Sequence, residues 1–297
     1  MKEPQVSLLH IEELSRRVGV SEHLMRVWEM RFGLIGPAHI EDGVRFYASE
    51  DEIRILSMRA YLAQGWTPAR AANASKITSG DSKSEHPQGN SAKLDLGDAY
   101  SLLRECLDNY DEPAAQSILD GIFADFALET VFRDVLLPYL NEMGIRWAAE
   151  TLSVGQEHFA SNIFRGRLSE LARDWAEGNG STAILACPPG EIHEFALMMA
   201  GIMLHRSGWT IRYLGSNTPI GVIIDLAKQT RPELILLSSI TTKRFATIVA
   251  EMRQLSAIAP VAIAGRGATQ EIADECGATL LVGDSVSSPL EIAKIIK

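Results

Sequence analysis

Glu191 and His193 stand two residues apart in the run CPPGEIHEFA, directly after the apolar stretch TAILAC. A carboxylate at that spacing can hold one imidazole nitrogen and leave the other free to ligate a metal. The triplet Pro188–Pro189–Gly190 ends the apolar stretch, so the pair falls on a loop. Alone, the pattern also suits a solvated loop histidine. Two further sets of polar and small residues stand out. Upstream, Trp147 is followed by nine residues and then by Glu157–His158. Read singly, Trp147 suits a helical core and Glu157–His158 an exposed helix pair. Downstream, Ser238, Ser239 and Thr241 follow one apolar run, and Gly265 follows another. The first apolar stretch has no GxGxxG after it, and the chain has no P-loop lysine motif, so the usual phosphate cradles are absent.

These residues need elements to position them. The apolar runs TAILAC (182–187), WTIRYLG (209–215), ELILLSS (233–239), PVAIAG (260–265) and ATLLVG (278–283) read as five strands. Helical stretches lie between and after them, near 194–206, 219–229, 243–256, 270–275 and 288–296. That alternation predicts a doubly wound parallel sheet of Rossmann or flavodoxin-like type over 179–297. Ligands of such sheets bind past the carboxyl ends of the strands, which points to the loops after 187, 215, 239 and 265.

Residues 94–178 carry helical periodicity instead. Tyr100, Leu103 and Leu107 share one face, as do Ile118, Ile122 and Phe126, and Glu112–Pro113 between them suits a helix start. A bundle of three or four helices is the expectation. Residues 75–93, SKITSGDSKSEHPQGNSAK, are polar and Ser/Gly-rich and read as a linker. The fold class is therefore multidomain, α and α/β, with a separate module over 1–74.

In that module Leu14, Val18 and Val20 mark one helix face, Gly19 permits a tight turn, and Ser21 caps a second helix bearing Leu24, Val27 and Trp28. This is a helix-turn-helix pattern, whose second helix normally enters the DNA major groove. A short wing follows, with Asp42–Gly43 as its hairpin turn. Ser49 then opens a third helix, and Thr67–Pro68 starts another.

Composition sets the limits. The chain has 297 residues, 46% hydrophobic and 22% charged, enough to bury a sizeable core without staples. Three scattered cysteines, Cys106, Cys187 and Cys276, form no CxxC and suit a reducing cytoplasm. The longest apolar run, Phe195 to Leu204, is half the ~20 residues of a membrane span. A net charge of −10 argues against nucleic-acid binding by the whole surface, but leaves room for one small module. Residues 1–74 hold nine Lys/Arg and ten Asp/Glu, a balance of −1. One copy should therefore bind DNA weakly, and useful affinity calls for several copies side by side.

The stretch Ile11–Ala74 resembles the winged DNA-binding domain of the MerR transcription regulators. The likeness is carried by Arg26–Trp28–Glu29–Arg31, by FGLIGP, and by Arg45 and Tyr47. It implies that helix 21–31 reads base edges and that Arg26, Arg31, Arg45 and Tyr47 meet double-stranded operator DNA. His39 and Ile40 depart from the family pattern.

The rest of the chain resembles the cobalamin-binding module of the CarH/LitR photoreceptor regulators. W-x9-EH, the ExH loop, the Ser/Thr run and the glycine after the fourth strand occur in the family's order. The resemblance implies that His193 is the lower axial ligand to cobalt and that Glu191 orients it. Ser238, Ser239, Thr241 and Gly265 would line the slot for the nucleotide tail. Trp147 would lie over the upper cobalt face, and Glu157 and His158 would meet a 5′-deoxyadenosyl ligand. It further implies a cytoplasmic, non-enzymatic repressor that assembles into dimers or tetramers with adenosylcobalamin in the dark and leaves DNA in the light. Three alanines depart from the pattern. Ala196 and Ala264 stand where the family has glycine, and Ala148 stands where some light-sensing members carry a cobalt-capturing histidine. They leave open a regulator that senses a corrinoid, or another ligand, without light. A corrinoid methyl carrier is disfavoured, because nothing supplies a substrate-binding domain.

Overall fold

A computed structural model describes residues 8–41, 44–64, 66, 68–77, 95–177, 180–284 and 286. The N-terminal module begins with β1 (Leu8–His10), a strand with no counterpart in the sequence reading. Helix α1 (Ile11–Val18) buries Ile11, Leu14 and Val18 and stops at Gly19, whose φ of 61° is the left-handed conformation that glycine adopts without strain. Ser21 caps α2 (Glu22–Phe32) by accepting the Leu24 N–H at 3.2 Å. Strands β2 (His39–Glu41) and β3 (Val44–Ala48) form the wing, and β1 joins the far side of β3 in an antiparallel sheet ordered β1-β3-β2. The Asp42–Gly43 turn lies outside the described residues. Helices α3 (Ser49–Ala63) and α4 (Pro68–Ile77) complete the module. Helix α4 takes in the first three residues of the expected linker, whose remainder lies outside the described residues.

The middle region is helical, as its periodicity requires. It comprises α5 (Leu96–Asp108), α6 (Glu112–Asp125), α7 (Leu128–Val131), α8 (Leu137–Ala148) and α9 (Val154–Leu171). Asp95 and Asp111 cap α5 and α6 with their carboxylates. A π turn over Phe132–Leu136 joins α7 to α8 without a break.

The C-terminal sheet contains the five expected strands, β4 (Thr182–Ala186), β5 (Thr210–Gly215), β6 (Leu234–Ser238), β7 (Val261–Ala264) and β8 (Thr279–Leu280). All pairings are parallel and the order is β5-β4-β6-β7-β8. Helices α10 (Phe195–Arg206), α11 (Ile220–Thr230), α12 (Thr242–Ala246), α13 (Val249–Ser256) and α14 (Gln270–Cys276) cross between strands. The single helix expected over 243–256 is broken into α12 and α13, and the helix expected at 288–296 lies outside the described residues. β6 is buried along its whole length, as a central parallel strand must be. The strand order reverses between β4 and β6, so the crevice past their carboxyl ends is the natural ligand site.

Two units divide the chain inside α9, residues 1–160 and 161–297. The first holds the N-terminal module and the helices through the start of α9. The second holds the remainder of α9 and the sheet. Trp175, in a short 3-10 turn, packs edge-on against Tyr213 of β5 at 4.9 Å between ring centres. All three cysteines are free and buried, and burial pushes the Cys106 and Cys187 thiols up to about 12. Among the described residues, no helix is long and apolar enough to cross a membrane.

Candidate functional site

The reversal of strand order brings the loop after β4 against the loop after β6. Glu191, fully buried, is the point where they meet. Its Oε1 accepts the backbone N–H of His193 at 3.0 Å and lies 2.6 Å from His193 Nδ1. Its Oε2 accepts the Ser239 hydroxyl at 2.8 Å and the Ile240 N–H at 2.9 Å, with Arg244 Nε at 3.6 Å. Burial alone raises the Glu191 pKa. The hydrogen bonds from His193, Ile240 and Ser239 outweigh it and hold the carboxyl at about 2. An ionised carboxylate can only accept, so His193 Nδ1 is the donor, and in the neutral imidazole the lone pair then lies on Nε2. The His193 side chain is 56% exposed. One nitrogen is thus fixed and the other is presented for coordination.

The loop is braced from its other side as well. Asn217, beyond β5, accepts the Gly190 N–H at 2.6 Å with its side-chain oxygen and donates its own N–H to the Glu191 carbonyl at 2.7 Å. Glu194, next to the histidine and buried, accepts from Tyr213 at 2.8 Å and from the Ser216 N–H at 2.9 Å, and pairs with Arg165.

Past β6 and β7 the backbones approach closely. Gly265 has φ 88°, and a Cβ there would lie 2.4 Å from the Ser239 carbonyl oxygen and 3.2 Å from Ser238 Oγ. At Gly267 a Cβ would lie 2.4 Å from the Thr241 carbonyl carbon. Ser238 and Ser239 are buried and Thr241 is exposed. Ala264 is the last residue of β7 and pairs with Ser238 in extended backbone, so glycine is not required there. Ala196 sits in the first turn of α10, half-buried. The glycines thus let the loops after β6 and β7 pack closely, and the half-exposed imidazole beside them fits a cofactor that brings its own metal.

In the first unit, Trp147 is 50% exposed near the end of α8 rather than in a bundle core. Glu157 and His158 follow in the first turns of α9, where His158 Nε2 lies 3.4 Å from Glu157 Oε2. In the N-terminal module, Arg45 reaches Glu29 at 3.2 Å, and the phenol of buried Tyr47 donates to Glu29 at 2.9 Å. Arg31 donates to the Ser117 carbonyl of α6 at 2.8 Å. Of these four, Arg26 alone shows no ion pair or side-chain hydrogen bond among the described residues.

Residues 9–76 match the MerR HTH family of regulatory proteins, and residues 101–172 and 181–287 each match a B12 binding domain. The HTH-type transcriptional repressor CarA of Myxococcus xanthus is 29% identical over 272 residues, covering 89% of this chain and 88% of its own. CarH of the same organism, also an HTH-type transcriptional repressor, is 29% identical over 229 residues, 76% of either chain. The chain carries a MerR HTH module and B12 binding domains and is homologous to CarA and CarH. The monomethylamine corrinoid protein of Methanosarcina barkeri has the same fold over 68% of this chain and all of its own, at a TM-score of 0.57 and 16% identity.

Three features of the site were not read from the sequence. The Ser239 hydroxyl donates to Glu191. Arg244 stands behind the same carboxylate. Glu194 anchors the loop from the residue after the histidine. Adjacency to His193 was a usable signal for Glu194. The other two depend on which strands are neighbours.

Proposed function

We propose that this chain is a cobalamin-responsive transcriptional repressor of the cytoplasm, which holds operator DNA as an oligomer with adenosylcobalamin in the dark and releases it in the light. The observation that carries the reading is the Glu191-held His193, with Nδ1 engaged and the side chain 56% exposed. His193 would be the lower axial ligand, Glu191 its orienting partner, and Ser239 the group that fixes Glu191. Ser238, Thr241 and Gly265 would leave room for the nucleotide tail. Assignment of Trp147, Glu157 and His158 to the upper ligand rests on the family resemblance. The chemistry such a cofactor supplies is a weak cobalt–carbon bond that light cleaves.

Assembly would bring several DNA-binding modules together, which a module with a charge balance of −1 needs for useful affinity. The cofactor must then favour the assembled state over the dissociated one. Arg26, Arg31, Arg45 and Tyr47 would form the DNA contacts. No side chain at Ala148 can capture cobalt after photolysis, and this favours a second reading, a corrinoid sensor blind to light. Size-exclusion chromatography of the full chain with adenosylcobalamin, in the dark and after green light, separates the two. Co-elution in a large species that shrinks on illumination supports the photoreceptor. Co-elution without a change in size supports the second reading, and no co-elution rejects both.

A further inference from the structure

The helix that would read DNA is already occupied. His23, Val27 and Arg31 recur at i, i+4 and i+8 of α2 and so form one stripe. α2 packs against α6 of the helical region. His23 Nε2 lies 2.7 Å from Glu105 of α5, Ser21 bonds the Asp111 carboxylate at the start of α6, and Arg31 donates to the Ser117 carbonyl. Val27, between the two basic residues, is 2% exposed. The Arg31 guanidinium lies against Gly121, where a Cβ would come within 2.9 Å of it. Asp125 and Asp120 act on the same guanidinium electrostatically, opposing the effect of its burial. Four carboxylates thus stand around this face of α2, whose Arg31 would otherwise meet a phosphate.

We infer that the acidic face of α5 and α6 is an internal stand-in for DNA, which captures α2 and holds the module in a form that cannot enter the major groove. This rests on the reading of α2 as the DNA-reading helix. A major groove about 12 Å wide admits a bare helix but not one with a second helix packed along it. The same stripe cannot serve both partners, so DNA binding requires that α2 leave α6. The repressor then has two controls. Assembly sets how many modules are presented, and the latch sets how many of them are open.

Two full-length variants test this against a fluorescently labelled mixed-sequence DNA duplex at low salt. In Ser21→Cys/Asp111→Cys, two short side chains in contact are replaced by a pair that can form a disulfide. The oxidised form should lose DNA binding, and reductant should restore it. In Gly121→Leu, a neutral side chain is aimed at Arg31, so no charge is added that could itself attract DNA. It should bind about fivefold or more tightly than the parent chain, the lower end of typical coupling between sites, with the melting temperature near that of the parent. The latch is overturned if the oxidised cysteine variant binds DNA as its reduced form does. It is equally overturned if the disulfide cannot be formed in the folded chain, or if a folded Gly121→Leu binds no better than the parent. If neither the parent nor the reduced and Gly121→Leu variants, all folded, bind DNA, α2 is not a DNA-reading helix. The latch then falls together with that reading.

Discussion

The loop after β4 and the helix α2 carry the two proposed binding sites, and they are kept in opposite conditions. Around Glu191 the protein gathers four donors on one carboxylate and leaves the histidine side chain half exposed. His193 Nδ1, the His193 N–H, the Ser239 hydroxyl and the Ile240 N–H all converge on that carboxylate, and Nε2 has no partner among the described residues. Along α2 the protein does the reverse. His23 and Arg31 are matched by Glu105 and the Ser117 carbonyl, and Ser21 by Asp111. An imidazole nitrogen is cheap to leave in water. A basic helix face is readily covered by the chain's own carboxylates. The difference suits a regulator that must find its cofactor unaided but must not find its operator until told to.

Removing the histidine gives the largest expected change. His193→Ala should abolish stoichiometric corrinoid binding with histidine ligation, read by equilibrium dialysis and by the visible spectrum of the bound fraction. Retained affinity with an unchanged spectrum would remove the site from this loop. Glu191→Gln leaves the imidazole in place and loosens its support. A loss of about 10- to 100-fold in corrinoid affinity is expected, the usual cost of losing a ligand's hydrogen-bonded partner. Equal affinity for the variant and the parent would mean that the carboxylate only shapes the loop.

A smaller change is expected at the glycine floor. Gly265→Ala puts a methyl 2.4 Å from a backbone oxygen in a backbone conformation with φ 88°. The strain should cost about 1–3 kcal/mol and lower the melting temperature of the apo chain. The same change at Gly36, whose Cβ would meet nothing within 4 Å, should leave it nearly unmoved. If the two variants melt together, the close approach of Gly265 to Ser239 is wrong.

Smallest is a pH effect. The folded-state pKa of Glu191 is about 2, below its ordinary value of 4.5. The stabilisation it provides is therefore complete above the unfolded value and is lost as pH falls towards about 2. Urea unfolding near pH 6 and near pH 3 should show part of this loss in the parent chain, and less of it in Glu191→Gln. An equal pH dependence in both would assign the acid sensitivity to other carboxylates.

The sequence disclosed what is local. Glu191 and His193 share one loop, so their pairing could be read from spacing. Gly19 and Ser21 mark the turn between α1 and α2 within a few residues. The five strands were legible because each apolar run is bounded by turn residues. Contacts set by tertiary neighbours were not legible. Ser239 reaches Glu191 across 48 residues only because β4 and β6 are adjacent. Ser21 and Asp111 are 90 residues apart, and Ser21 already had a local reading as a helix cap. β1 is three residues long and pairs with a strand more than thirty residues away, below the reach of a periodicity argument.

Ligation of cobalt by His193 is the claim on which the functional reading depends. It is tested most directly by electron paramagnetic resonance of the cobalt(II) corrinoid bound to the chain, prepared with ordinary and with nitrogen-15-labelled histidine. The expected result is a nitrogen triplet on the cobalt lines that becomes a doublet with the label and disappears in His193→Ala. A triplet indifferent to the label would mean that the corrinoid keeps its own dimethylbenzimidazole as the lower ligand, and that the Glu191–His193 pair has no part in holding cobalt.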